Sequence, residues 1–193
     1  MKTIQPVRGT HDIFSKDLYL FNKIIKEISK VAKSYDFNEI ITPIFEKTDL
    51  FEKPLGEHSD VVLKEMYTFI DRNESSLTLR PEYTTPMIRA SISNNMLNVL
   101  PAKLYGIGPM FRRERPQKGR YRQFNQINFE ILGSSEPITD AEIIILADQF
   151  LKNLKIKSEI KLFLNSLGDL NTLRLFKEKL ATYYQNYKNS LSK

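Results

Sequence analysis

Residues 111–133, FRRERPQKGRYRQFNQINFEILG, constrain this chain more than any other stretch. They read as a strand, a long basic loop and a second strand returning beside the first. Six cations, Arg112, Arg113, Arg115, Lys118, Arg120 and Arg122, crowd the segment from 112 to 122, with Glu114 the one anion among them. Pro116 and Gly119 keep the loop out of regular helix or strand. The returning strand alternates, with Phe124, Gln126, Asn128 and Glu130 on one face and Ile127, Phe129 and Ile131 on the other. The apolar face demands a core. The polar face is either the solvated side of an antiparallel sheet or the wall of a pocket. The arginines at its mouth favour the pocket, because a guanidinium grips phosphate through a planar fork.

The outgoing strand, 102–114, puts Leu104, Gly106, Gly108, Met110, Arg112 and Glu114 on one face. Two glycines on one face weaken a strand unless something approaches its backbone. Since that face leads to Arg112, the glycines are expected to form the floor under a ligand; a bulge or local twist is the alternative. A second hairpin is expected over 66–80, where YTFID and SLTLR flank a polar turn. Its second arm places Thr78, Arg80 and Glu82 on one face and Leu77, Leu79 and Pro81 on the other, so Glu82 leaves the strand end on the polar side. Pro86 suits the first turn of a helix carrying Met87, Ile88, Ala90, Ser91 and Ile92.

Around these hairpins the pattern alternates with helices. Ser15 is placed to cap a helix running from 15 to about 35, whose apolar stripe is Leu18, Phe21, Ile25, Ile28, Ala32 and Tyr35. The opposite face carries Lys23, Lys26, Lys30 and Lys33, and solvation explains it better than nucleic-acid contact. The run 37–45 is β-branched and apolar, with Pro43 implying an edge strand or a strand end. Such an edge is a plausible dimer seam or is covered within the chain. Residues 48–53 suggest one helical turn. Thr139 and Glu142 form a capping box for a helix with Ile143, Ala147, Phe150, Leu151 and Leu154 inward. A strand is expected at 158–164 and a last helix from 170 to about 187, with Leu173, Phe176, Leu180 and Tyr184 on one side and a polar, frayed end beyond. Arg8 to Asp12 reads as a surface turn. Mixed helices and antiparallel arms indicate an α+β fold, an antiparallel sheet flanked by helices.

Composition excludes several chemistries. With no cysteine there is no disulfide or thiolate. His11 and His58 lack ligand spacing, so no metal site is expected. Neither glycine fingerprint of the Rossmann or P-loop nucleotide sites is present, so a nucleotide here would be held by arginines on a sheet. A net charge of +6 is weak support for a polyanionic partner. No apolar run reaches membrane-spanning length and the N-terminus has no signal-peptide core, so a soluble, cytoplasmic protein is expected.

FRRERPQKGRYRQF with Gln126 and Glu130 resembles the second signature motif of class II aminoacyl-tRNA synthetases, in the form typical of histidyl-tRNA synthetases. TLRPEYT at 78–84, the opening IQPVRGTHD and EMYTFIDRN are similar to that family as well. The resemblance, from residue 4 to about 180, implies ATP-dependent activation of histidine to histidyl-adenylate, then transfer to tRNA(His). It implies that Arg112 is catalytic, binding the α-phosphate and the histidine carboxylate. Glu114, Arg120 and Phe124 would hold ATP with Arg112: Glu114 at the adenine amino group, Phe124 against the ring, Arg120 at the terminal phosphates. Glu82, Tyr83, Thr84, Gln126 and Glu130 would line the histidine pocket. Tyr83 is a departure, since many members have glycine there, so it must point away or reshape the pocket. Mg²⁺ would ride on the ATP phosphates. The first helix and the strand around Pro43 resemble the family's dimer-forming first motif, implying a homodimer.

The resemblance also implies an incomplete catalytic domain over 1–193. The family's histidine-specific arginine–tyrosine segment, its third motif and its anticodon-binding domain have no counterpart here. A truncated gene product, fragment or incomplete gene model, with negligible aminoacylation alone, is therefore expected. Two other readings remain. A paralogue of the family serves as the regulatory subunit of ATP phosphoribosyltransferase in histidine biosynthesis, but it has no need of Arg112, Glu114, Arg120 and Phe124 together. An interaction module binding tRNA weakly by charge would need the loop only as a basic patch, and its binding would fall steeply with salt.

Overall fold

The computed structural model describes residues 3–55, 65–156, 158–165 and 168–188; His58 and the last five residues of the polar end lie outside them. Residues 1–156 form one compact unit and 157–193 a second. The first holds a three-stranded sheet of β1 (Asn38–Glu39), β5 (Ala102–Phe111) and β6 (Gln123–Leu132), in the order β1-β5-β6. A smaller sheet is ordered β2-β4-β3, from β2 (Phe45–Lys47), β3 (Tyr67–Ile70) and β4 (Ser76–Leu79). Both hairpins expected from the sequence are present and antiparallel. The main sheet is nonetheless mixed, because β1 joins β5 in parallel. Pro43 falls between β1 and β2 and divides the run 37–45 into two short strands rather than lying within one.

β5 and β6 pair over their full ten residues, from Ala102 opposite Leu132 to Phe111 opposite Gln123. Opposed residues share a face, so Leu104, Gly106, Gly108 and Met110 lie on the face of Glu130, Asn128, Gln126 and Phe124. The other face carries Tyr105, Ile107, Phe129 and Ile131. These pack on Val31 and Ala32 of helix α1 (Ser15–Ser34), Phe37, and Ile143, Leu146 and Phe150 of helix α4 (Pro137–Asn153). Tyr105 donates to Glu39, 2.9 Å away; burial holds its phenol above the ordinary value, and the Glu39 carboxylate adds to the shift.

Several helix boundaries differ from the sequence pattern. Ser15 does not cap α1: it is the first helical residue, in a left-handed backbone conformation, with Phe14 before it. The Thr139–Glu142 box does not open α4, which begins at Pro137. Thr139 instead shares a hydrogen bond with Ser134, and Glu142 pairs with Lys103 of β5. Leu146 rather than Ala147 is the buried centre of α4. Helix α2 (Asp49–Leu55) buries Phe51, and helix α3 (Thr84–Ser93) follows β4. In the second unit no strand forms over 158–164. Helix α5 (Leu170–Asn186) does form, capped by Asp169, whose side chain accepts from the Thr172 amide at 2.7 Å. That bond and the adjacent hydroxyl favour the charged form and lower the Asp169 pKa. No helix among the described residues is long and apolar enough to cross a membrane.

The glycines of β5 are not a ligand floor. A Cβ on Gly106 would lie 2.4 Å from the Tyr83 ring, and one on Gly108 would lie 2.4 Å from the Arg80 guanidinium. The space they leave is filled by the protein's own side chains. Tyr83 is fully buried among Ile40, Met87, Ala90, Leu104 and Met110, and its hydroxyl donates to the Ile40 carbonyl at 3.2 Å. Gly106→Ala should therefore cost about 1–3 kcal/mol through overpacking, and Tyr83→Ala about 3–5 kcal/mol through cavity formation. In urea unfolding, the double variant should lose clearly less than the sum, because each change relieves the other.

Candidate active site

The site is built on the β5–β6 face where the hairpin opens. Arg112 follows β5 directly. Its backbone amide donates to the Arg122 carbonyl at 3.0 Å, prolonging the hairpin by one step, and its Nε donates to the Pro81 carbonyl at 2.8 Å. The guanidinium lies over the Phe124 ring, 5.3 Å from its centre. Held from two sides, it keeps its terminal nitrogens without a partner among the described residues. Beyond it the loop closes on itself at Lys118 and Gly119, with reciprocal backbone bonds between Gln117 and Arg120. Glu114 and Arg120, both expected at ATP, form an ion pair at 3.4 Å. They border a cleft of about 280 Å³ with Glu65, Arg113, Arg115 and Gln117.

The loop's base is tied to the N-terminal turn. The Arg122 and Gln123 amides both donate to the Gly9 carbonyl, at 2.7 and 3.4 Å. Gly9 has a left-handed φ of 89°, and a Cβ there would meet Arg122 at 2.9 Å and Pro116 at 3.0 Å. Only glycine suits both demands. The Arg8–Asp12 segment, read as a surface turn, is thus a brace for the basic loop.

Next along the same face lies a polar ladder. Gln126 Nε2 donates to Asn128 Oδ1 at 3.1 Å. Asn128 Nδ2 donates to Glu130 Oε1 at 2.7 Å and to Thr84 Oγ1 at 3.1 Å. Gln126 Oε1 is buried with no hydrogen-bond partner. Glu82 reaches the same region but is engaged: its two oxygens accept from the Thr84 and Thr85 amides at 2.7 and 2.9 Å, satisfying the first turn of α3.

The structure thus brings Thr84, Gln126 and Glu130 together around Asn128, with Glu82 beside Thr84 and Arg112 over Phe124 further along. It sets Glu114 and Arg120 out on the loop. Tyr83 is fully buried, its ring over Gly106 and packed with Ile40, Met87 and Leu104. Arg80, assigned to no role by the sequence, proves central. Only 2% exposed, it donates to the carbonyls of Thr42 at 2.8 Å, Pro109 at 3.0 Å and Pro43 at 3.4 Å, and to the Thr42 hydroxyl at 3.0 Å. Its guanidinium carbon sits 4.4 Å from the Tyr83 ring centre. The glycine pair was the available signal for it, since a vacated strand face needs an occupant.

The α+β fold, a hairpin sheet backed by helices, is similar to the class II aminoacyl-tRNA synthetase fold. A family profile for histidyl-tRNA synthetase matches residues 9–181, and the chain belongs to that family. It is 47% identical over 193 residues to a histidine–tRNA ligase of Rhodospirillum rubrum and 46% identical over 190 residues to one of Wolbachia pipientis from Culex pipiens; each match covers 98% or more of this chain and 46% of the relative. A crystal structure of apo histidyl-tRNA synthetase from S. aureus matches with a TM-score of 0.76 at 34% identity, covering 98% of this chain and 44% of that one. The chain spans about half the length of the curated relatives it matches.

Arg80→Lys should not preserve stability, because an ammonium cannot span carbonyls on both sides of the slot. Orphaning those acceptors should cost about 3 kcal/mol, read as a lower urea midpoint with unchanged slope.

Proposed function

We propose that the chain serves histidine–tRNA ligase activity, supplying the wall on which ATP and histidine meet before transfer to tRNA(His). The supporting observation is the placement of Arg112, pinned over Phe124 with its terminal nitrogens unpartnered among the described residues, on the face that also carries the unpartnered acceptor of Gln126 and the carboxylate of Glu130. Activation brings a carboxylate to a phosphorus surrounded by negative oxygens. The chief obstacle is repulsion, and a fixed guanidinium relieves it without moving during the reaction. Arg112 bridges the α-phosphate and the histidine carboxylate. Gln126 and Glu130 accept from the donors that histidine offers, its ammonium and ring N–H groups, with Glu82 and Thr84 closing the pocket. Phe124 packs on adenine beside the Arg112 guanidinium. Binding separates the Glu114–Arg120 pair, turning Glu114 to the adenine amino group and Arg120 to the terminal phosphates. Mg²⁺ is carried on those phosphates; among the described residues no three His, Cys, Asp or Glu side chains converge to hold an ion. Such a protein works in the cytoplasm, where tRNA is charged.

The regulatory reading has less support, because the curated relatives at 45–47% identity are named histidine–tRNA ligases. Calorimetric titration separates the readings. Binding of both ATP and histidine, with ATP affinity lowered at least tenfold in Arg112→Ala and histidine affinity lowered similarly in Glu130→Gln, is the expected result. Histidine binding alone would favour the regulator, and binding of neither would overturn the proposal.

A homodimer is part of the same reading. Phe14, Leu18, Tyr19 and Leu20 at the start of α1, and Ile41, Ile44 and Phe45 around Pro43, are exposed, Ile41 to 80%. Apolar surface on this scale marks an interface. Sedimentation should give a dimer that Ile41→Glu dissociates; a wild-type monomer at all concentrations would count against it.

A further inference from the structure

Asn128 belongs to none of the roles assigned above, yet every hydrogen-bonding atom of its side chain is engaged. It lies opposite Gly106 in the β5–β6 register, in the middle of the polar face. Its oxygen accepts from Gln126 Nε2 at 3.1 Å; its nitrogen donates to Glu130 Oε1 at 2.7 Å and Thr84 Oγ1 at 3.1 Å, with Met87 Sδ at 3.8 Å. Residues two apart on a strand point the same way, so one short amide in the middle reaches both neighbours. The opposite position, lacking a side chain, is filled from above by Tyr83, which leaves Asn128 free to bond along its own strand.

The consequence concerns polarity. A glutamine amide presents a donor or an acceptor according to how it is turned. Because Asn128 Oδ1 can only accept, it draws the Gln126 nitrogen towards itself and turns Oε1 away, where it is buried and unpartnered. The Asn128 nitrogen likewise occupies one Glu130 oxygen, and the second has no partner among the described residues. We propose that Asn128 is a positioning residue that sets Gln126 and Glu130 as a pair of acceptors, so that the pocket selects a ligand presenting nitrogen-bound hydrogens. This rests on the histidine-binding reading and names the group within this chain that enforces it.

The test compares the wild-type chain with Asn128→Leu, which keeps the branched shape, at a somewhat larger volume, and removes all of these bonds. Calorimetry would follow histidine, its two ring-N-methylated derivatives and ATP, with thermal unfolding alongside. In Asn128→Leu, histidine affinity should fall at least tenfold and the preference for histidine over the methylated rings should shrink by a similar factor, with ATP affinity within twofold of wild type. A merely structural effect would weaken histidine, the methylated rings and ATP together, and that outcome would overturn the role. Wild-type selectivity in a folded Asn128→Leu would do the same while leaving histidine binding intact. Failure of the wild-type chain to bind histidine would remove the underlying reading, and this role with it. Nitrogen-15 spectra give an independent readout: the Gln126 side-chain amide should exchange slowly in the wild type and rapidly in the variant.

Discussion

A buried guanidinium holds the architecture together. Arg80 leaves the end of β4 and places its charge in the slot over Gly108, where carbonyls of Thr42, Pro43 and Pro109 surround it. A buried cation is tolerated only where its donors are satisfied. Here the acceptors come from the link between β1 and β2 and from β5, so satisfying the charge also fixes the small sheet to the main one. Tyr83 stacks against it and occupies the rest of the slot. The turn carrying Glu82 and Thr84 has one way to lie once these two side chains are seated, and it lies beside the polar ladder of β6.

The site inherits its order from that seating. The carbonyl of Pro81, directly after Arg80, receives Arg112 Nε, so the segment that supplies the core cation also steadies the arginine at the root of the loop. The two arginines divide their work by burial. Arg80 spends Nε and Nη1 on three carbonyls and a hydroxyl, whereas Arg112 is held by one nitrogen and an aromatic face, with its terminal nitrogens unpartnered among the described residues. Glu82 shows the same economy in a carboxylate: it satisfies the first amides of α3, and that anchoring places its charge next to the ladder.

Much of this was legible from residue order. The alternation of 124–131 separated the ladder from the core face, and the pairing of β5 with β6 in full register agrees with it. The cation-rich loop located Arg112. The misreadings share one cause, that local pattern cannot say what sits opposite. Alternation grouped Arg80 with the polar side of β4, although that side is buried. The glycines were read as room for a ligand, although Tyr83 and Arg80 take it. Ser15 and Thr139 carry capping chemistry, but Ser15 is already the first residue of α1 and α4 begins at Pro137, before Thr139. The run 158–164 has strand composition without forming a strand. Asn128 was seen as one more polar residue, since only geometry reveals that it bonds in three directions.

By itself, the sequence determined the periodic elements, the position of the basic hairpin and the kind of charge it presents, because these depend on spacing along one chain. Tertiary structure alone decided which polar groups are consumed in holding the fold and which are left to meet a ligand. That division depends on distances between residues tens of positions apart: Arg80 to Thr42, Arg112 to Pro81, Asn128 to Thr84. A hydrogen bond is set within a few tenths of an ångström, a precision that periodicity does not carry and packing does.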